Sequence, residues 1–134
     1  AISNGIEFIN DSKATNIESV IVAIKAFDRP IVLLLGGYNK KSNFRLLLPH
    51  IKSNHIRVVI SYGEAGGQIK TALGDAVRLV RVTNLKSAVN KAQILAKPGE
   101  LVLLSPGCAS FDEFSNFEER GNFFKKTVYE LSHK

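Results

Sequence analysis

Residues 101–121, LVLLSPGCASFDEFSNFEERG, decide how this 134-residue chain folds. The apolar run Leu101-Val102-Leu103-Leu104 has the length of a buried strand. Ser105-Pro106-Gly107 is expected to end it, because proline lacks an amide donor and glycine admits left-handed backbone. The small residues Cys108, Ala109 and Ser110 then form a loop, and a helix is expected to begin near Phe117. A buried strand that runs through a small-residue loop into a helix N-terminus is where an α/β sheet offers free backbone N–H groups to an anion.

The same grammar repeats upstream. Ile6-Glu7-Phe8-Ile9 reads as a short first strand, ending at Asn10-Asp11. Thr15-Asn16-Ile17-Glu18 matches a capping box, with Thr15 as the N-cap. Behind it Ile17, Val20, Ile21, Ile24 and Phe27 make one helical stripe. Ile31–Leu35 is an apolar strand closed by Gly36-Gly37. Phe44, Leu47, Leu48 and Ile51 resume helical spacing, which Pro49 must kink or divide. Arg57–Ile60 is the next strand, followed by a loop at Ser61-Tyr62-Gly63 and a short helix over Ala65–Leu73. Ala76–Val82 reads as a further strand. Asn84 caps a helix whose apolar face is Leu85, Ala88, Val89, Ala92 and Leu95. The last helix places Phe117, Gly121, Phe124, Val128 and Leu131 on one stripe. Strand starts near 31, 56, 77 and 101 recur at nearly even spacing with a helix in each gap, which predicts an α/β fold: a mostly parallel sheet with helices on both faces.

Composition bounds the rest. With 45% hydrophobic and 22% charged residues, the chain reads as one soluble domain, 1–134, with a core of ordinary size. No apolar run reaches membrane-spanning length, and no membrane partner is expected. Ala1–Gly5 carries no basic segment leading into an apolar one, so no secretory signal is read. The chain contains no Met, as expected of a piece of a longer polypeptide. Its single cysteine forbids an internal disulfide and fits a reducing compartment. The net charge of +6 favours anionic partners and equally suits a basic solvated surface.

Ligands of open α/β sheets gather at the carboxyl ends of the strands. Three polar clusters fall there: Asn10–Thr15, Tyr38–Lys41 and Ser105–Phe117. Together they make a donor-rich, cationic rim suited to carboxylate or phosphate. Each also has a structural reading: Thr15 as a cap, Lys40 and Lys41 as a solvated loop, Ser110 and Asp112 as turn residues, Cys108 as packing. The three histidines lack metal-ligand spacing, so no metal site is expected. Neither G-x-G-x-x-G after the first strand nor G-x-x-x-x-G-K-[ST] occurs, which argues against dinucleotide binding and against a P-loop in this chain.

A family resemblance sharpens this. Phe8-Ile9-Asn10-Asp11-Ser12-Lys13-Ala14-Thr15-Asn16, then Gly36-Gly37 with Lys40 and Phe44, then Leu103–Asp112 continuing through Phe114, Asn116-Phe117-Glu118 and Arg120-Gly121, resemble three motifs of the Mur ligase C-terminal domain, in the branch that adds D-glutamate. The resemblance implies a Rossmann-like third domain of a cytoplasmic, monomeric three-domain enzyme of peptidoglycan precursor synthesis. Its UDP-binding domain and its central ATPase, which holds most of the ATP and Mg contacts, would lie outside this chain. It implies ATP-driven ligation of D-glutamate to UDP-N-acetylmuramoyl-L-alanine through an acyl phosphate, releasing ADP, with the isolated domain inactive. Carried over by position, Thr15 and Lys40 would hold the α-carboxylate of D-glutamate, and Ser110 and the Phe117 amide its side-chain carboxylate. Asp11 would touch the ATP ribose and Lys13 would lie near the nucleotide; no catalytic residue is implied. The chain departs from the motifs at Asn39, where Asp is frequent, at Lys41, where Gly is, and at Gly107, where Ala is usual. Two other readings stand beside this one. A free-standing basic module would bind nucleic acid or protein, though no basic stripe interleaved with aromatics is present and no nucleic-acid partner is expected. A ligase that adds glutamate to folate shares the architecture but matches residues 105–121 less well.

Overall fold

The computed structural model describes residues 2–39, 42–53 and 55–133. Strands β1 (Ile2–Ser3), β2 (Ile6–Asn10), β3 (Ile31–Gly36), β4 (Ile56–Tyr62), β5 (Arg78–Arg81) and β6 (Leu101–Gly107) form one sheet in the order β1-β2-β6-β3-β4-β5. Only the β1–β2 pair is antiparallel; every other pairing is parallel. Between the strands run α1 (Ile17–Lys25), a 3₁₀ turn (Phe44–Leu47) leading directly into α2 (Leu48–Ser53), α3 (Gly66–Leu73) and α4 (Leu85–Leu95), with α5 (Phe117–Ser132) last.

Side chains alternate across a strand, so continuous apolar runs fill two cores at once. Leu33, Leu35, Val59 and Leu103 pack with α1, α2 and α3. Val32, Leu34, Val58, Ile60, Val102 and Leu104 pack with α4 and α5. The central strands β3 and β6 are buried along their whole length. Three helices begin with the same device: Asn16, Asn84 and Asn116 sit in extended backbone and accept from the N–H three residues on, at 2.9, 2.9 and 2.8 Å. Asparagine does this because its short side-chain carbonyl reaches an otherwise orphaned first-turn donor. No helix among the described residues is long and apolar enough to cross a membrane.

Five expectations are corrected. The cap of α1 is Asn16, not Thr15, which leaves Thr15 outside the helix. β6 does not stop at Ser105; it continues through Pro106 to Gly107. Proline fits because β2 pairs only as far as Leu104 and the β3 register shifts between Leu34 and Gly36, so no ladder bond is asked of it. β4 likewise runs on through Ser61 and Tyr62, whereas β5 is shorter than 76–82. Finally, Phe117 lies off the buried stripe of α5 and is 41% exposed, while Arg120 lies on it. Pro49 sits at the second residue of α2, just where the 3₁₀ turn gives way to α-helix, so it divides the helical segment.

At the end of the sheet away from the strand tips, Arg57 forks onto Glu100, Nε to Oε2 and Nη2 to Oε1, both at 2.6 Å. Glu100 Oε1 also accepts from the Lys97 amide at 2.7 Å. Burial alone would push the Glu100 carboxyl up, but the Arg57 and Lys97 hydrogen bonds and charges outweigh it and hold it below the usual value. A carboxyl with a lowered folded pKa adds stability above its unfolded pKa and loses that stability as pH falls through the folded one. Glu100→Ala is therefore expected to cost about 2 kcal/mol or more at neutral pH. Urea denaturation across the acid range should also show a flatter acid limb; an unchanged limb would assign the acid sensitivity elsewhere.

Candidate functional site

The helices after β2 and β3 cover one face of the sheet, and the helix after β6, which lies between those strands, covers the other. Chain segments leaving neighbouring strand tips in opposite directions open a crevice at the carboxyl edge. Three loops meet there: residues 11–16 after β2, residues 37–39 and 42–43 after β3, and residues 108–116 after β6.

Backbone bonds stitch these loops together. Asp11 N donates to Leu104 O at 2.8 Å and Gly107 N to Ala14 O at 2.8 Å, which ties the first loop to β6. Tyr38 and Ala109 exchange both backbone bonds, at 2.8 and 3.0 Å, joining the second loop to the third. Ser42 Oγ donates to Gly107 O at 3.2 Å. Asn39 accepts from Ser42 N at 2.8 Å and donates its amide to Gln68 Oε1 at 2.6 Å. An aspartate could make the first of these bonds but not the second. Lys40 and Lys41 lie outside the described residues.

The third loop is held by its acidic residues. Asp112 Oδ2 accepts from Glu64 N at 3.1 Å. The Glu113 carboxylate accepts from Leu85 N, at the start of α4, with both oxygens at 3.2 Å. Burial raises the Glu113 carboxyl above its usual range, against the Leu85 bond. The Ser110 carbonyl closes the turn, accepting from Glu113 N at 3.1 Å and Phe114 N at 2.8 Å.

The loops enclose a cleft of about 370 Å³ lined by Thr15, Ser42, Cys108, Ser110 and Phe117, among others. It brings together all the described residues expected to meet the two carboxylates. Among the described residues, the side-chain hydroxyls of Thr15 and Ser110 and the backbone N–H of Phe117 have no hydrogen-bond partner. Phe117 is the first residue of α5, and Asn116 caps Glu119 N instead. The cleft thus presents two hydroxyls and a helix-end amide, the donor set an anion takes up. Cys108 forms its floor: the thiol is buried, and burial pushes its pKa up to about 12, so it is no nucleophile at neutral pH.

Asp11 and Lys13 are not in this cleft. They line a neighbouring depression of about 540 Å³ against Val22, Ala26 and Phe27 of the α1 side. Asp11 Oδ2 accepts from Ser105 Oγ at 3.1 Å. Burial raises its carboxyl above the usual value, more than Ser105 and the Lys13 charge lower it. No group of three or more His, Cys, Asp or Glu side chains among the described residues is arranged to hold a metal ion.

Sequence reading assigned no role to Ser12 or Arg120. Among the described residues Arg120 is the largest fully buried side chain, at 1% exposure. Its signal was a cation falling on the apolar stripe of the last helix, one turn before Phe124.

The family model described as Mur ligase, glutamate ligase domain, matches residues 1–108. UDP-N-acetylmuramoylalanine–D-glutamate ligases are similar to the chain across almost its whole length. The protein of Chlamydia abortus is 45% identical over 96% of the chain and 30% of its own length. That of Acidobacterium capsulatum is 45% identical over 97% of the chain and 28% of its own length. The chain therefore spans about 30% of the length of the curated relatives it matches. Among solved structures, a domain assigned to a UDP-N-acetylmuramate:L-alanyl-gamma-D-glutamyl-medo-diaminopimelate ligase of Haemophilus ducreyi superposes with a TM-score of 0.56. It shares 16% identity, covering 99% of this chain and 94% of the other, a likeness of fold.

Proposed function

Because the chain belongs to the Mur ligase family, as its glutamate ligase domain, we propose that it is the amino-acid-binding part of an enzyme joining D-glutamate to UDP-N-acetylmuramoyl-L-alanine. The observation that carries this reading is the cleft where Thr15, Ser110 and the Phe117 amide converge with donors that have no partner among the described residues. In this reading Thr15 and Lys40 take the α-carboxylate, and Ser110 Oγ and the Phe117 amide take the side-chain carboxylate.

Holding both acid groups leaves the amine as the free end of the substrate. ATP transfers its terminal phosphoryl group to the carboxylate of UDP-N-acetylmuramoyl-L-alanine, releasing ADP. The amine then attacks the acyl phosphate, forming the amide and expelling phosphate. This chain supplies orientation to the second step, turning an encounter of two molecules into a reaction of held groups. Asp11 and Lys13, in the adjoining depression, suit contact with the ribose and phosphate side of the nucleotide. The magnesium that accompanies ATP is assigned mainly to the rest of the enzyme. In this reading the enzyme works in the cytoplasm as a monomer.

The test is phosphate release by the full-length enzyme given ATP, UDP-N-acetylmuramoyl-L-alanine and D-glutamate. Turnover is expected only with all three, and none from residues 1–134 alone. Turnover that ignores D-glutamate, or ligation by the isolated chain, would refute the reading.

A further inference from the structure

We propose that Arg120 is the positioning residue of the D-glutamate cleft, fixing its walls from behind and setting a buried positive charge under its floor. The proposal rests on the function proposed above and adds to it a residue that would not touch substrate.

The guanidinium divides its three nitrogens between two walls of the cleft. Nε donates to Ser12 Oγ at 2.9 Å and Nη2 to Ser12 O at 2.7 Å, gripping the loop that carries Thr15. Nη1 donates to Cys108 O at 3.0 Å, gripping the loop that carries Ser110. Ser12 Oγ donates onward to Phe117 O at 2.7 Å, so the first turn of α5 joins the same network. A Cβ at Gly37 would come within 3.1 Å of Nη1, which sets the start of the Lys40 loop against the same group. Thr15, Ser110 and Phe117 each lie within a few residues of a bond to Arg120 or to the hydroxyl it holds.

Stability alone does not account for an arginine here. It is 1% exposed on a helix stripe whose neighbours are Phe124 and Val128. None of the ion pairs among the described residues involves it; its hydrogen-bond acceptors are carbonyls and a hydroxyl. A buried cation without a carboxylate partner is costly, and apolar residues of similar volume often serve a core as well or better. Its charge nevertheless acts on Cys108, in the cleft floor, where it opposes the effect of burial. The same charge acts on the Glu113 carboxyl of the third loop, which it lowers, and an incoming dicarboxylate would add negative charge to this neighbourhood. Lysine at this position would keep the charge but not the fork, since a single ammonium cannot bridge Ser12 and Cys108 in one plane.

The experiment uses the full-length enzyme, with KM measured separately for D-glutamate, ATP and UDP-N-acetylmuramoyl-L-alanine. Arg120→Lys is expected to raise the KM for D-glutamate roughly 10- to 100-fold, the scale of a misplaced contact. The KM for UDP-N-acetylmuramoyl-L-alanine should stay within about twofold and that for ATP should rise less than that for D-glutamate, because Ser12 sits between Asp11 and Lys13 of the neighbouring depression. Ser12→Ala keeps the cation but cuts the link to Phe117, and should raise the same KM by a smaller factor. The double variant should fall short of the product of the two, as for residues in one network. If Arg120→Lys does not fold, Ser12→Ala decides. An unchanged KM for D-glutamate in the folded variants, or all three KM values rising together, would overturn the proposal while leaving the ligase reading intact. A wild-type enzyme that needs no D-glutamate would overturn both.

Discussion

Gly37→Ala is expected to cost at least about 3 kcal/mol of stability. Gly37 has φ +121°, a region closed to residues with a side chain. A Cβ there would collide with the carbonyl oxygen of Ala109, the atom that accepts the Tyr38 amide, and would press on Arg120 Nη1 at 3.1 Å and Cys108 Cβ at 3.3 Å. Backbone and a fully buried guanidinium cannot swing away as a flexible surface side chain can. Gly99 separates the two contributions, since it has φ +89° but nothing within 4 Å of its added Cβ. Gly99→Ala should cost only about 1 kcal/mol, the conformational part alone. Urea denaturation of the chain checks both; equal losses at the two positions would remove the steric argument. The site should suffer with the fold, because the Tyr38–Ala109 bridge joins the second loop to the third.

The second large effect concerns the substrate. In the full-length enzyme, Ser110→Ala and Lys40→Ala should each raise the KM for D-glutamate about 10- to 100-fold, the value of a hydrogen bond to a charged group. The KM for ATP should scarcely move, since Ser110 lines the cleft and not the depression that holds Asp11 and Lys13. Steady-state kinetics with each substrate varied in turn decides it. Parallel rises in both KM values would point to a general loosening of the domain rather than to a carboxylate contact.

Much of this was legible beforehand, and the reasons differ by element. Leu101–Leu104 and Ile31–Leu35 announce themselves because strands buried on both faces must be apolar at every position. The α4 stripe is equally plain, with Leu85, Ala88, Val89 and Ala92 all buried. Reading failed where one residue type serves two ends. Thr15 and Asn16 are both good caps, and spacing alone favoured the wrong one; the backbone chose Asn16. Pro106 looked like a terminator because a proline in a strand usually is one, but a register shift against β3 spares it a ladder bond.

The anion-binding rim was legible from the polar clusters at the strand ends, but the carboxylate roles of its residues came only through the resemblance. Thr15, Ser110 and Phe117 are common residues whose significance lies in converging from sites about a hundred positions apart, which no local pattern encodes. Arg120 is harder still: its partners are the carbonyls of Ser12 and Cys108 and one hydroxyl, and backbone acceptors leave no trace in sequence. The acidic residues that pin the third loop, Asp112 and Glu113, likewise bond to backbone amides of Glu64 and Leu85 and look in sequence like ordinary turn residues.

The structure of the full-length enzyme with D-glutamate bound tests the central claim most directly. One carboxylate should lie within hydrogen-bond distance of Thr15 Oγ1, and the other should bridge Ser110 Oγ and the Phe117 amide. D-glutamate found away from these three groups, in an enzyme that turns it over, would contradict the account.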